Sequence, residues 1–583
     1  MCGIIATINT DLAAGACPHL PTTLERLHHR GPDSSGTCAV ALPWAQVTLG
    51  MARLKIVDQS DIVVPYHFPY LGVTLAYNGE VYNWRSLREG LSDGTPWMTS
   101  CDSEVIARAW KRWGPACLTA FNGMWSLVLV DSQKSSVFIA RDRAGQKPLF
   151  YAQRGCRLYV ASEAKALPVA LTAVPCADMD AFEFDFGAST PISGVSRLPA
   201  GHCVYLDGHT SLDHVGQLTQ RWWSLPAPQC PKYTGSYVDA VEELMDLVVD
   251  SVRLRTVAEV PVALQLSGGL DSAIIHQAVG WVAPSLLESM RAYCVDFTSE
   301  GINNLSTAQR VRDSVMAVGL TAAELQEILP KVVYHLDTPA TWSACCLWKL
   351  AEQISGDGHK IILSGEGADE LFGGYTRYRV LYWLQRMLTD PHLAGYEPTI
   401  QYAVGGLPTD ILTRLLDRGP AAGSCQEHIE QLIGQHGLVA GQLLEPTRVA
   451  MRTEWATTMQ VLLRMGDRMA SAWALENRCP FLDYRIVELA CSLPTDWLIT
   501  PVENKHILRD VARALDVPAA ICDEKSKKGL AIPWARWATQ LGVETAGPRG
   551  AWDRSGFSAL MQDNWTKHCL REATCTSCEP TQK

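Results

Sequence analysis

The sequence predicts a two-domain α/β protein, and three observations predict it. The chain has 583 residues, more than one hydrophobic core ordinarily supports. Its first 205 residues hold short β-leaning runs broken by Gly, Pro, Asp and Asn, whereas from 236 onward buried-strand runs alternate with helical patterns. The composition is that of a folded globular chain, 47% hydrophobic and 19% charged with mean hydropathy near zero.

Taken in order, IIATI at 4–8, VTLGMARLKIV at 47–57, VTLAYN at 73–78, WSLVLVD at 125–131, SVFIARD at 136–142 and RLYVAS at 157–162 read as strands. Helices intervene near 21–29 and 103–113. Residues 206–235, with PAPQCPKYTG, lack periodicity and read as a linker. Beyond it, Val238, Val241, Leu244, Met245 and Val248 recur at helical spacing. VPVALQL, RAYCVDF and KIILSGEG are apolar runs suited to fully buried strands, and helices between them predict a parallel sheet. The stretch after about 380 reads as mostly helical. The expected organisation is a first domain at 1–205, a linker at 206–235 and a second domain at 236–583.

A net charge of −11 and a pI of about 5.8 argue against a nucleic acid or an anionic membrane as partner. No apolar run approaches a membrane span, and the start lacks a secretory signal, so the expected location is the cytoplasm. Nineteen scattered cysteines read mostly as buried small apolar residues or free thiols.

Two loops carry phosphate chemistry. VPVALQLSGGLDSAII is strand, glycine-rich turn and helix start. Glycines at 268 and 269 let backbone N–H groups approach an anion at a helix N-terminus, and Ser267 and Ser272 add hydroxyls. Asp271 inside an anion site implies a Mg²⁺ carried with the phosphates. The turn lacks the Lys of a kinase-type P-loop. KIILSGEGADELFGGY repeats the logic, with Gly365, Glu366 and Asp369 at a second strand end. Lys505, in ENKHILRD, precedes an apolar-periodic helix and can neutralise charge in a transition state. His28 and His29 adjoin in sequence and point apart, so they do not read as a metal pair. Cys575 and Cys578, with His568 and Cys569 upstream, offer zinc-like spacing for one half-site only and read as a disordered tail.

Together MCGI, HRGPDSSG, YNGEVYN, CDSEV, FNGMWSLVLVD, RDRAGQKPLFY, SGGLDS, LSGEGADELFGGY, ENRCPFLD and KHILRD resemble, in order, the glutamine-hydrolysing asparagine synthetase family. That resemblance implies an N-terminal-nucleophile (Ntn) hydrolase αββα sandwich followed by an ATP-pyrophosphatase domain of the adenine nucleotide alpha hydrolase type. It implies that Cys2, freed of Met1, is the nucleophile, its own α-amine serving as base. Asn78 and Gly79 would form the oxyanion hole, and Arg53, Asn78, Glu80 and Asp102 would hold glutamine. Ser267, Gly268, Gly269, Asp271, Ser272, Val295 and Gly365 would bind ATP and pyrophosphate, and Asp271 with Asp369 would hold Mg²⁺. Glu366 would be the base near the attacking nitrogen, and Lys505 would act during adenylation. ATP and Mg²⁺ are the implied cofactors, glutamine or an analogue and a carboxylate acceptor the partners. A homodimer stays open.

One segment departs from the family pattern. Members that make asparagine carry an arginine in a threonine-rich segment before the second loop. Here it reads DTPATWSACCLWKL, with no arginine between Asp337 and Lys349. Arg464, Asp467 and Arg468 are candidates to fill in. The expected activity is therefore an ATP-dependent amidotransferase with a different, larger and more apolar acceptor. The alternatives are an authentic asparagine synthetase, an amide- or hydroxamate-forming tailoring enzyme, and an intramolecular amide former of the β-lactam synthetase type. Intact Cys2, Arg53, Asn78 and Asp102 argue against the last.

Overall fold

The computed structural model describes residues 1–583 except 16, 18, 175–184, 340–341, 390–437, 440–441, 444, 526–529, 531, 542–562 and 568–583. The tail cysteines Cys575 and Cys578, with His568 and Cys569, lie outside the described residues. The strands, in chain order, are β1 Gly3–Asn9, β2 Ser34–Ala41, β3 Gln46–Arg53, β4 Tyr66–Phe68, β5 Val73–Val81, β6 Gly123–Asp131, β7 Ser136–Arg141, β8 Phe150–Arg154, β9 Arg157–Ala161, β10 Val195–Arg197, β11 His202–Leu206 and β12 Gln220–Arg221.

These make two antiparallel six-stranded sheets, ordered β10-β8-β9-β1-β3-β2 and β12-β11-β7-β6-β5-β4. Strand β1 is buried along its whole length, so both its faces are covered. Ile4, Ala6 and Ile8 point into the core between the sheets, with Leu49, Leu75, Leu127 and Leu129. Ile5 points the other way, to Leu20 and Leu24 of the helix Leu20–Glu25. On the second sheet, Trp110 of the helix Asp102–Trp113 stacks on Phe138 of β7 at 4.8 Å. This is the α/β/β/α layering that the resemblance implied. Strand β2, which the sequence reading passed over, alternates half-buried and exposed residues because it is an edge strand. The helix expected at 21–29 is shorter and gives way to a 3₁₀ turn at His28–Arg30. The stretch expected as a linker supplies β12, which pairs with β11, so the second sheet runs past residue 205.

The second domain begins at the helix Tyr237–Arg255, whose start is set by reciprocal bonds between Ser236 and Asp239. Its strands are β13 Val262–Gln265, β14 Arg291–Val295, β15 Met316–Val318 and β16 Ile361–Leu363, then the short pair β17 Leu438–Val439 and β18 Gln442–Leu443, then β19 Glu476–Arg478. The sheet is parallel, ordered β15-β14-β13-β16-β19. Strand order reverses between β13 and β16, which puts the loops after these two strands side by side at the switch point. The described stretch after 380 is mostly helical, as expected, and adds β19, an edge strand three residues long. It is too short for a periodicity signal and is specified by pairing with β16.

The domains share a core. One apolar cluster includes Leu20, Leu24 and Phe150 of the first domain with Val333, Trp348 and Met465 of the second. Every described cysteine is a free thiol. No helix among the described residues is long and apolar enough to cross a membrane.

Candidate functional site

Strand β1 starts one residue after Cys2, so the thiol is carried on the end of a buried strand rather than on a frayed terminus. The backbone N–H of Cys2 donates to Asn78 Oδ1 at 3.0 Å. That contact turns the Asn78 Nδ2 amide away, to donate at 3.5 Å to Ser126 Oγ. Gly79 has φ +147°, and a Cβ there would lie 2.0 Å from the Met124 carbonyl oxygen. Only glycine fits this stretch of β5 against β6.

Asp102 opens the helix Asp102–Trp113 and is nearly fully buried. It accepts from the Tyr77 hydroxyl at 2.7 Å and from the Val81 N–H at 2.8 Å. Burial pushes its carboxyl up to about 6 against those hydrogen bonds. Glu80, beside it, is pushed well up by burial and by Asp102, with Arg478 opposing at 3.8 Å. Arg53 ends β3 and is anchored by donating to the carbonyls of Ser60 at 2.9 Å and Asp58 at 2.6 Å. The loop holding those carbonyls is pinned by Asp58, which accepts from Ser100.

Cys2, Arg53, Gly79, Glu80 and Asp102 line one small cavity of about 30 Å³ together with Met1, Tyr66, Tyr77 and Glu476. Met1 turns its side chain toward Lys147, its Sδ lying 3.0 Å from Nζ. It is buried, and its ammonium lies 3.6 Å from Glu476 Oε2. With Met1 attached, burial pushes the Cys2 thiol up, and the terminal ammonium and Arg53 only partly offset that.

At the parallel sheet, the turn after β13 crosses under a neighbouring helix. Gly268 has φ +78°, and a Cβ would stand 2.3 Å from the Thr307 carbonyl carbon. Ser267 Oγ accepts from the Gly269 N–H at 3.3 Å, and Ser272 Oγ donates to the Gly269 carbonyl at 3.1 Å. Gly365 of the second loop packs on Asp271, a Cβ there falling 2.9 Å from Asp271 Cβ. Lys505, with φ +55°, directs Nζ to Asp271 at 2.6 and 2.7 Å and to Asp369 Oδ1 at 2.7 Å. Two carboxylates therefore converge on one point, the hard-oxygen donor set that a divalent cation bound to phosphates requires.

Ser267, Gly268, Gly269, Asp271, Val295 and Lys505 line a second cavity of about 290 Å³. Ser272, Gly365, Glu366 and Asp369 border the loops but not that cavity. Arg310, Arg509 and Lys525 also line it. Sequence reading missed these three because isolated cations outside a motif look like solvated charges. Glu366 accepts from Asn477 Nδ2 at 2.8 Å, Cys479 Sγ at 3.0 Å and Ser364 Oγ at 3.3 Å. Burial pushes its carboxyl up against these bonds.

Strand β19 joins the two centres. Glu476 faces the Cys2 pocket, and the next residue, Asn477, faces Glu366. Successive strand residues point to opposite sides, so one step of backbone spans from one centre to the other. The candidates for a new acceptor clamp are engaged elsewhere. Arg464 pairs with Asp185 at 2.8 Å, Asp467 with Arg30 at 2.9 Å and Lys147 at 3.2 Å, and Arg468 with Glu163 at 2.6 Å and Asp337 at 3.1 Å. Arg30 also donates to the Cys2 carbonyl at 3.0 Å. His29 meets Glu163 and His335, but Glu163 is already taken by Arg30, Lys165 and Arg468.

Residues 1–223 match the family model of a glutamine amidotransferase domain, and residues 243–571 match that of asparagine synthase. The chain belongs to the glutamine-hydrolysing asparagine synthetase family. It is 27% identical to asparagine synthetase 1 of Bacillus subtilis, over 92% of this chain and 88% of that one. It is 27% identical to asparagine synthetase B of Escherichia coli, over 92% and 83%. It is 25% identical to amidase chry2 of Gibberella zeae, over 92% and 90%. As a member of this family it is a glutamine-dependent carbon–nitrogen ligase.

Proposed function

We propose that this synthetase-family enzyme uses ATP to adenylate a carboxylate other than aspartate and amidates it with nitrogen from glutamine or a close analogue. The observation that carries the acceptor reading is the helix Ser343–Gly356. It presents Leu347 to the adenylation cavity and buries Cys345 and Cys346, while its Lys349 is held by Glu352 at 2.5 Å. Among the described residues this helix brings no cation to the cavity, whose cations Lys505, Arg310, Arg509 and Lys525 come from other elements.

The chain's own residues support each step. With Met1 removed, the Cys2 amine takes the thiol proton, and the thiolate attacks the side-chain amide carbon of glutamine. Asn78 Nδ2 and the Gly79 N–H stabilise the oxyanion, Arg53 holds the α-carboxylate, and Glu80 and Asp102 hold the α-ammonium. Ammonia leaves, and water then releases glutamate from the thioester. In the second domain the acceptor carboxylate attacks the α-phosphorus of ATP, and pyrophosphate departs against Ser267, Gly268, Gly269 and Ser272. Lys505 neutralises the charge that develops. A Mg²⁺ held by Asp271 and Asp369 would offset charge on the pyrophosphate oxygens. Ammonia attacks the acyl-adenylate, Glu366 accepts the proton that nitrogen loses, and AMP leaves. Burial, by raising the Glu366 carboxyl, makes it a stronger base than an exposed carboxylate.

Pyrophosphate release measured across a panel of carboxylic acids tests the reading. Release is expected with larger, more apolar acids and to be weak with aspartate. Efficient aspartate-dependent asparagine formation from ATP and glutamine overturns it.

A further inference from the structure

We propose that the crevice between the two domains binds a small polyanion bearing a planar ring, at a site separate from both active centres. The crevice encloses about 550 Å³, the size of a small-molecule site, and shares no lining residue with the glutamine cavity or the adenylation cavity.

Among the described residues its wall carries six arginines, namely Arg141, Arg143, Arg197, Arg221, Arg452 and Arg464, and one carboxylate, Asp185. Asp185 is held between Arg197 and Arg464. Among the described residues the other four guanidiniums have no carboxylate in that wall, and the carboxylates behind Arg141 and Arg143 include Asp142 and Asp483. Arg141 donates to the carbonyls of Gly145 at 2.6 Å, Lys147 at 2.7 Å and Leu198 at 2.7 Å. Arg143 donates to those of Phe121 and Thr119, and Arg452 to that of Pro226. Carbonyls fix these side chains in place without cancelling their charge, so several like charges share one partly desolvated space. Desolvation accordingly pushes Arg141 down to about 10 and lowers Arg143, Arg452 and Arg464 as well.

Three polar atoms of wall residues are buried without a partner, Nε of Arg143, Nε of Arg452 and Oε1 of Gln146. Buried polar groups are ordinarily satisfied; these three lie just behind the wall, where they add to its polarity without being reached by solvent. Phe150, Trp223 and Trp455 supply flat apolar faces among the cations. Guanidiniums in this number suit phosphate, sulfonate or clustered carboxylate groups, and the aromatic faces suit a ring.

The probe is pyrenetetrasulfonate, which joins four anionic groups to a planar ring. Its fluorescence is followed on titration into the full chain, with ATP and Mg²⁺ saturating so that the adenylation cavity is filled. Binding is expected, to weaken as salt rises, and to be tighter than that of ring-free citrate measured by competition. Arg221→Glu is expected to weaken it about tenfold or more. Arg221 is exposed and outside the catalytic machinery, so glutamine hydrolysis reports that the variant folds. Arg452→Gln provides a second, charge-neutral variant with the same expectation. Absence of binding to the wild type, or binding by either variant as tight as that of the wild type, overturns the site. Citrate binding as tightly as the probe overturns the ring.

Discussion

Cys2 is a residue whose chemistry depends on its covalent neighbour. With Met1 in place the thiol is buried and pushed up in a pocket of only about 30 Å³, and the free terminal amine belongs to Met1 rather than to Cys2. Intact-mass measurement of active protein should therefore show Met1 absent, and activity with Met1 retained would remove the amine as base. Cys2→Ala should abolish amide formation driven by glutamine while leaving formation driven by ammonium ion. Asp102 gives a pH signature. Its carboxyl is raised to about 6 in the folded chain, so the charge that would hold an α-ammonium is lost as pH falls through that value. The KM for glutamine should climb below about pH 6, and Asp102→Asn should raise KM at neutral pH while flattening that climb, with kcat changed less. A KM for wild type that is level from pH 7 to about 5 would show that Asp102 does not bind the amine.

At the scale of elements, tight loops do the positioning. SGGLDS was legible because strand, glycines and helix start are contiguous in the chain. Gly268→Ala would place a methyl 2.3 Å from backbone at a positive φ, a strain of about 1–3 kcal/mol or more. Carboxylate-dependent pyrophosphate release should fall at least about tenfold, with glutaminase activity retained because that cavity draws no residue from the turn. Loss of both activities together would mean a general folding defect instead. Strand β19 was not legible as a strand. ENR is three residues of polar sequence, and only the partner β16 makes it one. Its two consecutive side chains, Glu476 and Asn477, could be seen as facing different centres only once both domains were in place.

At the scale of the whole molecule, the domains are held by buried ions as well as apolar contact. Asn122 of the first domain donates to Asp483 of the second at 2.8 Å, and Asp483 also pairs with Arg255 at 3.1 Å and Arg485 at 2.9 Å. Burial opposes its ionisation, yet these partners hold it down at about 2. A carboxyl depressed on folding contributes stability that is fully present above the unfolded value near 4 and is lost as pH falls toward 2. The contribution is on the order of 2 kcal/mol. Urea unfolding of wild type should therefore weaken between about pH 4 and pH 2, and Asp483→Asn should be less stable at pH 6 with a smaller drop on acidification. Equal acid sensitivity in the two proteins would assign the effect to other carboxylates.

Sequence by itself determined the family and most of the strands, and it singled out Cys2 and the two glycine loops as candidates, because each depends on residues adjacent in the chain, where spacing is visible. It also located the break in the family pattern at 337–349. Tertiary structure decided what long-range contact controls. It drew β12 out of the expected linker into the second sheet, and it committed Arg464, Asp467 and Arg468 to ion pairs in place of an acceptor clamp. It also gathered six arginines from positions 141 to 464 around one cavity. A charged side chain looks the same in sequence whether it faces water, a partner or a ligand. Only the fold sets its distance to the next charge, and that distance sets the energy.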